Sequence, residues 1–241
     1  NPNPGGLTGQ TWVAVDRSNR PSRGNVYVLM SVDPPGDDPQ DVNVVRSTEG
    51  GRTWSAPVRV NDDPVPTNAW QWFGTLGVAP NGRLDAVWND TRESGKPNLS
   101  RLYYAYSWDA GRTWSKNVPV SPVFDSHVGW PNQNKIGDYY GMVSDDTGTG
   151  LAYSATFNGE QDVYFLRIEP AGPVLPASFT LFRGKLAGGG RSSLFASDNA
   201  TLDVQPGIVL NASEAPVQIL MDATVPFATP QELGFLLEAH A

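Results

Sequence analysis

The side chains with chemical potential gather in a few short stretches: Trp70 to Trp72, Trp88 to Arg92, Asn134 to Tyr139 and Asn158 to Asp162. Arg92 offers a planar guanidinium whose two-pronged donor edge fits a carboxylate; a salt bridge to Asp90 or Glu93 is the other reading. Tyr139 stands beside Asp138, and a neighbouring carboxylate can take a phenolic proton and turn a tyrosine into a nucleophile. A sugar-stacking ring or a channel-lining residue fits Tyr139 equally. Glu160 supplies a further carboxylate. Trp70 and Trp72 have rings suited to sugar faces or to core packing between sheets. Asp90, Asn134 and Lys135 are polar groups able to contact whatever these rings and charges hold.

Other chemistries find less support. Two histidines, His127 and His240, with no cysteine cannot form an ordinary Cys/His zinc set or a disulfide framework. Asp37-Asp38, Asp62-Asp63 and Asp145-Asp146 offer hard oxygen ligands for calcium, although Asp also opens turns for purely local reasons. No other cofactor is indicated. The formal net charge of -8, with no run of Lys or Arg, argues against nucleic acid as a partner. No apolar run approaches the roughly 18 residues of a membrane-spanning helix. The chain opens Asn1-Pro2-Asn3-Pro4 with neither an initiator Met nor a visible signal peptide, so it reads as a processed or excised segment.

The elements that position these residues follow from an internal repeat. Ser47-Thr48-Glu49-Gly50-Gly51-Arg52-Thr53-Trp54 aligns with Ser107-Trp108-Asp109-Ala110-Gly111-Arg112-Thr113-Trp114 at a spacing of 60 positions. Period-two alternation and turn residues place similar strands around each copy. The first unit reads Thr11 to Asp16, Val26 to Ser31, Val42 to Ser47 and Val58 to Val60. The second reads Trp72 to Val78, Leu84 to Trp88, Leu102 to Ser107 and Asn117 to Val120. A third reads Gly137 to Ser144, Leu151 to Phe157 and Val163 to Ile168, without the hairpin motif.

Four short antiparallel strands per unit is the pattern of a β-propeller blade. The repeated hairpin is structural: Asp109 or Glu49 accepts amide bonds within the turn, Gly111 and Gly51 allow a tight backbone, and Trp114 and Trp54 fill space between sheets. The repeat ends at Glu169-Pro170-Ala171-Gly172-Pro173. The expected organisation is therefore all-β, with about three propeller blades in residues 1-170 and a small accessory β-sandwich in 174-241. Its strands are expected at Ser178 to Phe182, Ala200 to Val204, Pro216 to Ala223 and Leu233 to Ala239.

The pattern Ser-x-Asp-x-Gly-x-Thr-Trp, complete in Ser107, Asp109, Gly111, Thr113 and Trp114, resembles the Asp-box (BNR) repeat of the sialidase, or neuraminidase, superfamily. Trp88 to Arg92, Lys135 to Tyr139 and Gln161 to Tyr164 look like segments of bacterial secreted proteins of that kind. The resemblance covers roughly residues 10 to 170. It implies the C-terminal half of a six-bladed propeller, a glycan partner, a secreted or cell-surface location and retaining exo-glycoside hydrolysis. Within the family three arginines clamp a sialic-acid carboxylate, a tyrosine paired with a glutamate is the nucleophile, and an aspartate is the acid/base. The resemblance thus implies a clamp role for Arg92, a nucleophile in Tyr139 with Glu160 as partner, and an acidic role for Asp138. One departure is visible, since Phe157-Asn158 stands in the third unit where Thr91-Arg92 stands in the second.

Two alternatives stand beside the glycosidase reading. One is a non-catalytic Asp-box propeller that binds glycans or proteins, as in adhesion. The other is an open propeller whose edges need missing N-terminal blades or another copy. Strand direction sorts the residues under any of these readings. The entry to each first strand and the turn after each second strand share one face, and the Asp boxes lie on the opposite one.

Overall fold

The computed structural model describes residues 1–65, 67–137 and 140–170, and after them 178–183, 185–188, 203–205 and 218–222. Every regular element among the described residues is a strand. The chain divides into two compact units, Asn1–Pro170 and Ala171–Ala241.

The first unit holds three antiparallel sheets. Blade one is β1 (Thr11–Val15), β2 (Val26–Val32), β3 (Asp41–Ser47) and β4 (Val58–Arg59), hydrogen-bonded in that order. Blade two repeats the order with β5 (Gln71–Val78), β6 (Leu84–Asp90), β7 (Leu99–Ser107) and β8 (Val118–Pro119), and adds β9 (Phe124–Asp125) beside the start of β7. Blade three is β10 (Gly141–Ser144), β11 (Thr149–Ala155) and β12 (Asp162–Ile168). These are three consecutive propeller blades. Their first strands face a common groove lined by Trp12 to Val15, Leu76 to Val78 and Met142 to Ser144.

Alternation within the strands builds the packing between blades, because odd and even residues point to opposite faces of a sheet. Tyr27, Leu29, Val42 and Val44 of blade one meet Leu76, Leu84, Ala86, Trp88 and Ala105 of blade two in one buried cluster. Val87, Leu102 and Tyr104, on the other face of blade two, meet Leu151, Tyr153 and Ala155 of blade three in a second.

Two expectations need correction. The third unit's first strand begins at Gly141 rather than Gly137, because Tyr140 turns into the core and its hydroxyl bonds Asn89 at 2.9 Å. Both Asp-box tryptophans were expected between sheets; Trp114 packs on the first cluster, but Trp54 is 44% exposed. In the second unit, β13 (Ser178–Arg183) pairs with β16 (Gln218–Asp222) and β14 (Lys185–Gly188) with β15 (Asp203–Gln205). The strand expected at Leu233 to Ala239, and most of the expected sandwich, lie outside the described residues.

Candidate functional site

Strand register establishes the two faces. Gln71 pairs with Asp90, Asp41 with Val32 and Ala155 with Asp162 at one face, while Val26 pairs with Ser47 and Leu84 with Ser107 at the other. The Asp boxes close the latter. Ser107 Oγ accepts the Gly111 amide at 3.0 Å, and Asp109 Oδ1 accepts those of Arg112 and Thr113 at 3.0 and 2.9 Å. Gly111 takes φ +76° there, a left-handed conformation that suits glycine. Burial works against the Asp109 charge, yet the Thr113 and Arg112 amides and the Thr113 and Ser107 hydroxyls hold its carboxyl below the usual range. The box's own polar groups are spent on its turn, Ser47 Oγ likewise accepting the Gly51 amide and Glu49 the Thr53 hydroxyl.

The opposite face carries Arg92, and its guanidinium is engaged throughout. Nε donates to Asp90 Oδ2 at 2.9 Å, Nη1 to Asp62 Oδ1 at 2.7 Å and Nη2 to Asn117 Oδ1 at 3.1 Å. Asp63 Oδ1 lies 3.4 Å from Nη2, and the group lies over the Tyr103 ring at 4.4 Å. Arg92 thus reaches from the β6–β7 turn across β7 toward the residues before β8 and those after β4. Of the two readings of Arg92, the salt bridge to Asp90 is present in the structure. Burial pushes the Asp90 carboxyl above the usual range, while Arg92 and the Trp88 indole N–H favour its ionised form.

This network continues inward. Gln71 Nε2 is shared between Asp63 and Asp90, and Asp41 and Asp63 both accept from Arg59 and Asn61. Asp62 and Asp63, considered as calcium ligands, are therefore anions for arginine. Asp145 pairs with Arg167 at 2.7 Å. Asp38 differs: it is buried, Arg59 Nη2 is 4.0 Å away, and neither carboxylate oxygen has a hydrogen-bond partner among the described residues. Burial, with Asp41 nearby, raises its pKa.

The tryptophans also divide. Trp72 is fully buried with its indole N–H on Ser100 Oγ at 3.0 Å, which is the core-packing one of its two readings. Trp70 is half-buried against the second cluster.

Blade three presents an open groove on the same face, about 500 Å³ in volume and lined by Val128, Gly129, Gln133, Gly159, Glu160 and Gln161. Glu160 is exposed in the β11–β12 turn, where Asn158 bridges to Asp162 at 2.7 Å and to Glu160 at 3.4 Å. Gln161 Nε2 donates to the Val128 and Lys135 carbonyls, both at 3.1 Å, and ties this turn to the preceding loop. Asn134 is exposed, with its carbonyl taking the Gly5 amide at 2.7 Å. Trp130, next to Gly129, is 49% exposed. Asp138 and Tyr139 lie outside the described residues.

The structure therefore gathers Glu160 and the Lys135 backbone at the groove and leaves Arg92, Asp90 and Trp72 in packing between blades. The sequence reading missed Val128, Gly129 and Trp130, whose loop has no periodicity. Gln161 carried a signal only as part of a family-like segment.

No family model and no curated protein matches the chain. Solved structures similar to it include a Hadza microbial sialidase, 13% identical with a TM-score of 0.44, aligned over 66% of this chain and 34% of that one. An intramolecular trans-sialidase from Ruminococcus gnavus is 11% identical with a TM-score of 0.38, over 66% and 33%. The Penicillium chrysogenum α-L-arabinanase is 14% identical with a TM-score of 0.43, over 71% and 51%. The chain spans about a third of the length of these two sialidase chains and half of the arabinanase.

Proposed function

We propose that this chain is a glycan-recognising portion of a sialidase-type glycosidase propeller and that the blade-three groove is where it contacts sugar. The groove's composition carries the reading. The carboxylate of Glu160 and the amide oxygens of Gln133 and Gln161 supply acceptors for sugar hydroxyl groups. An exposed indole at Trp130 adds a flat apolar surface of the kind sugar rings stack on. The Asp-box resemblance makes sialic-acid-type glycans the first ligands to test. Asp138 and Tyr139 follow Lys135 closely in sequence, and the Lys135 carbonyl is bound at the groove. A tyrosine nucleophile is the sialidase exception among glycosidases.

A second reading, glycan binding without hydrolysis, is favoured by the commitment of Arg92 to Asp90, Asp62 and Asn117. Two measurements separate the readings. A glycan array followed by titration with sialyllactose tests recognition, with Glu160→Gln and Gln161→Ala expected to weaken it. Turnover of a fluorogenic sialoside, abolished by Tyr139→Phe, selects the hydrolytic reading; binding without turnover selects the other. Array silence together with no turnover overturns both.

A further inference from the structure

The hydrogen bonds that build the blade-three groove decide what its side chains have left to offer. Gln161 Nε2 carries two hydrogens, and two carbonyl oxygens, those of Val128 and Lys135, each stand 3.1 Å from it. A carbonyl can be met only by the NH2 end of an amide, so these contacts also fix which end of the side chain carries the oxygen. Gln133 Nε2 gives a hydrogen to the same Lys135 carbonyl at 3.1 Å. The side-chain donors are thus largely used in joining the β11–β12 turn to the loop before it. What remains is acceptor: Oε1 of both glutamines and the exposed Glu160 carboxylate, which Asn158 Nδ2 approaches only to 3.4 Å. Asp162, also exposed and two residues further on, adds a second negative charge. Between Asn117 and Leu166 the chain holds a single Lys or Arg, Lys135. That residue is half-buried, has a partner of its own and does not line the groove. The His127 ring, beside Trp130, has its Nε2 on the Asn1 carbonyl at 3.1 Å.

We infer that the groove selects uncharged, hydroxyl-rich sugars over sugars that carry a carboxylate. The inference rests on the reading of the groove as a sugar site, and it departs from the ligand that the Asp-box resemblance suggests. An ionised carboxylate brings only acceptor oxygens and a negative charge. In this groove it meets further acceptors and like charge, so the water it gives up is not replaced by donors. Arg92, on the same face, does not offset this, because its guanidinium is held by Asp90, Asp62 and Asn117. The hydroxyls of a neutral sugar donate to the same acceptors, and a bond to Glu160 gains from the charge on the acceptor. The apolar face of the ring has the exposed Trp130 indole to lie on. Exposed carboxylates act on a ligand charge through water, each weakening binding about two- to three-fold at low salt, so Glu160 and Asp162 together set a preference of about 5-fold.

The test is calorimetric titration of the whole chain with lactose, with sialyllactose and with the methyl ester of sialyllactose, which keeps every hydroxyl and loses the charge. At low salt, lactose and the ester should each bind about 5-fold more tightly than the acid. At about 0.5 M salt the screening length falls to roughly 4 Å, and the gap should close to within about two-fold. Asp162→Asn removes one charge from outside the lining and should narrow the low-salt gap by about two-fold. Sialyllactose binding as tightly as its ester at low salt, or a gap that salt does not narrow, overturns the inference; the groove remains a sugar site in that case if Gln161→Ala weakens all three ligands. No binding by any of the three, or binding indifferent to Gln161→Ala, overturns the sugar-site reading and this inference with it.

Discussion

Arg92→Ala should destabilise the propeller unit by about 3–5 kcal/mol, the range seen when one partner of a buried ion pair is removed. Most of that loss comes from Asp90. Its side chain has no solvent exposure and Arg92's has 16%, so truncation leaves a carboxylate in the interblade space with only Trp88 Nε1, Gln71 Nε2 and the residue-92 amide as donors. Asp62 contributes little, being 41% exposed and open to water. The stacking on Tyr103 adds about 0.5–1 kcal/mol at most. Against a usual domain stability of about 5–15 kcal/mol, such a loss moves the denaturation midpoint far outside error.

Urea unfolding followed by tryptophan fluorescence measures it, with Arg92→Ala/Asp90→Asn as the control that should recover most of the loss. The pH dependence has a definite sign. Asp90 has a folded-state pKa above its unfolded value, so the folded state takes up its proton first as pH falls. Losing Arg92 raises it further. The deficit of Arg92→Ala should accordingly be largest near neutrality and narrow in acid. A variant within about 0.5 kcal/mol of the parent at neutral pH that nonetheless loses ligand binding would refute the structural role and restore the clamp.

Asp38→Asn should raise stability by about 1 kcal/mol at neutral pH, because burial and the neighbouring Asp41 disfavour the Asp38 charge more than Arg59 at 4.0 Å favours it. The raised Asp38 pKa makes that gain shrink as pH falls through it, which denaturation at two pH values would show. Asp109→Asn should cost about 1 kcal/mol, a figure reduced for its partial exposure. The lowered Asp109 pKa means that this contribution is present above the unfolded carboxylate pKa and is lost as pH falls through the folded one. Trp114→Ala should cost about 3 kcal/mol and Trp54→Ala under about 1 kcal/mol in the single chain, since only Trp114 packs on the core; thermal melts of dilute protein distinguish them.

What was legible in the sequence depended on how far apart the interacting atoms lie along the chain. The Asp box is readable because its bonds close within four residues, Ser107 to Gly111 and Asp109 to Thr113. Strand alternation is local in the same sense, and the four-strand order of blades one and two follows from it. Arg92's position after a second strand is local as well, and so was placed on the correct face. Its occupancy is not local, because Asp62 and Asn117 stand 30 and 25 residues away. The groove pairs residues 128–133 with 159–161 through Gln161, and neither loop has a period that would connect them beforehand.

The two tryptophans that end the Asp boxes show the same limit at the level of whole blades. Trp54 and Trp114 occupy identical motif positions, yet one is open and the other packed, because a blade's near face is buried only by the blade before it. A repeat therefore encodes the shape of each interface at every copy, while burial depends on a neighbour that the motif does not contain. The same reasoning separates the polar residues. Those at the ends of the sheets, Asp109 on one face and Arg92 on the other, have their groups satisfied by bonds that hold turns and blades together. On the proposed reading, the exposed groups between the blade-three turn and its preceding loop are the ones free for a ligand, and substitution of Glu160 or Trp130 is expected to alter binding without altering the fold.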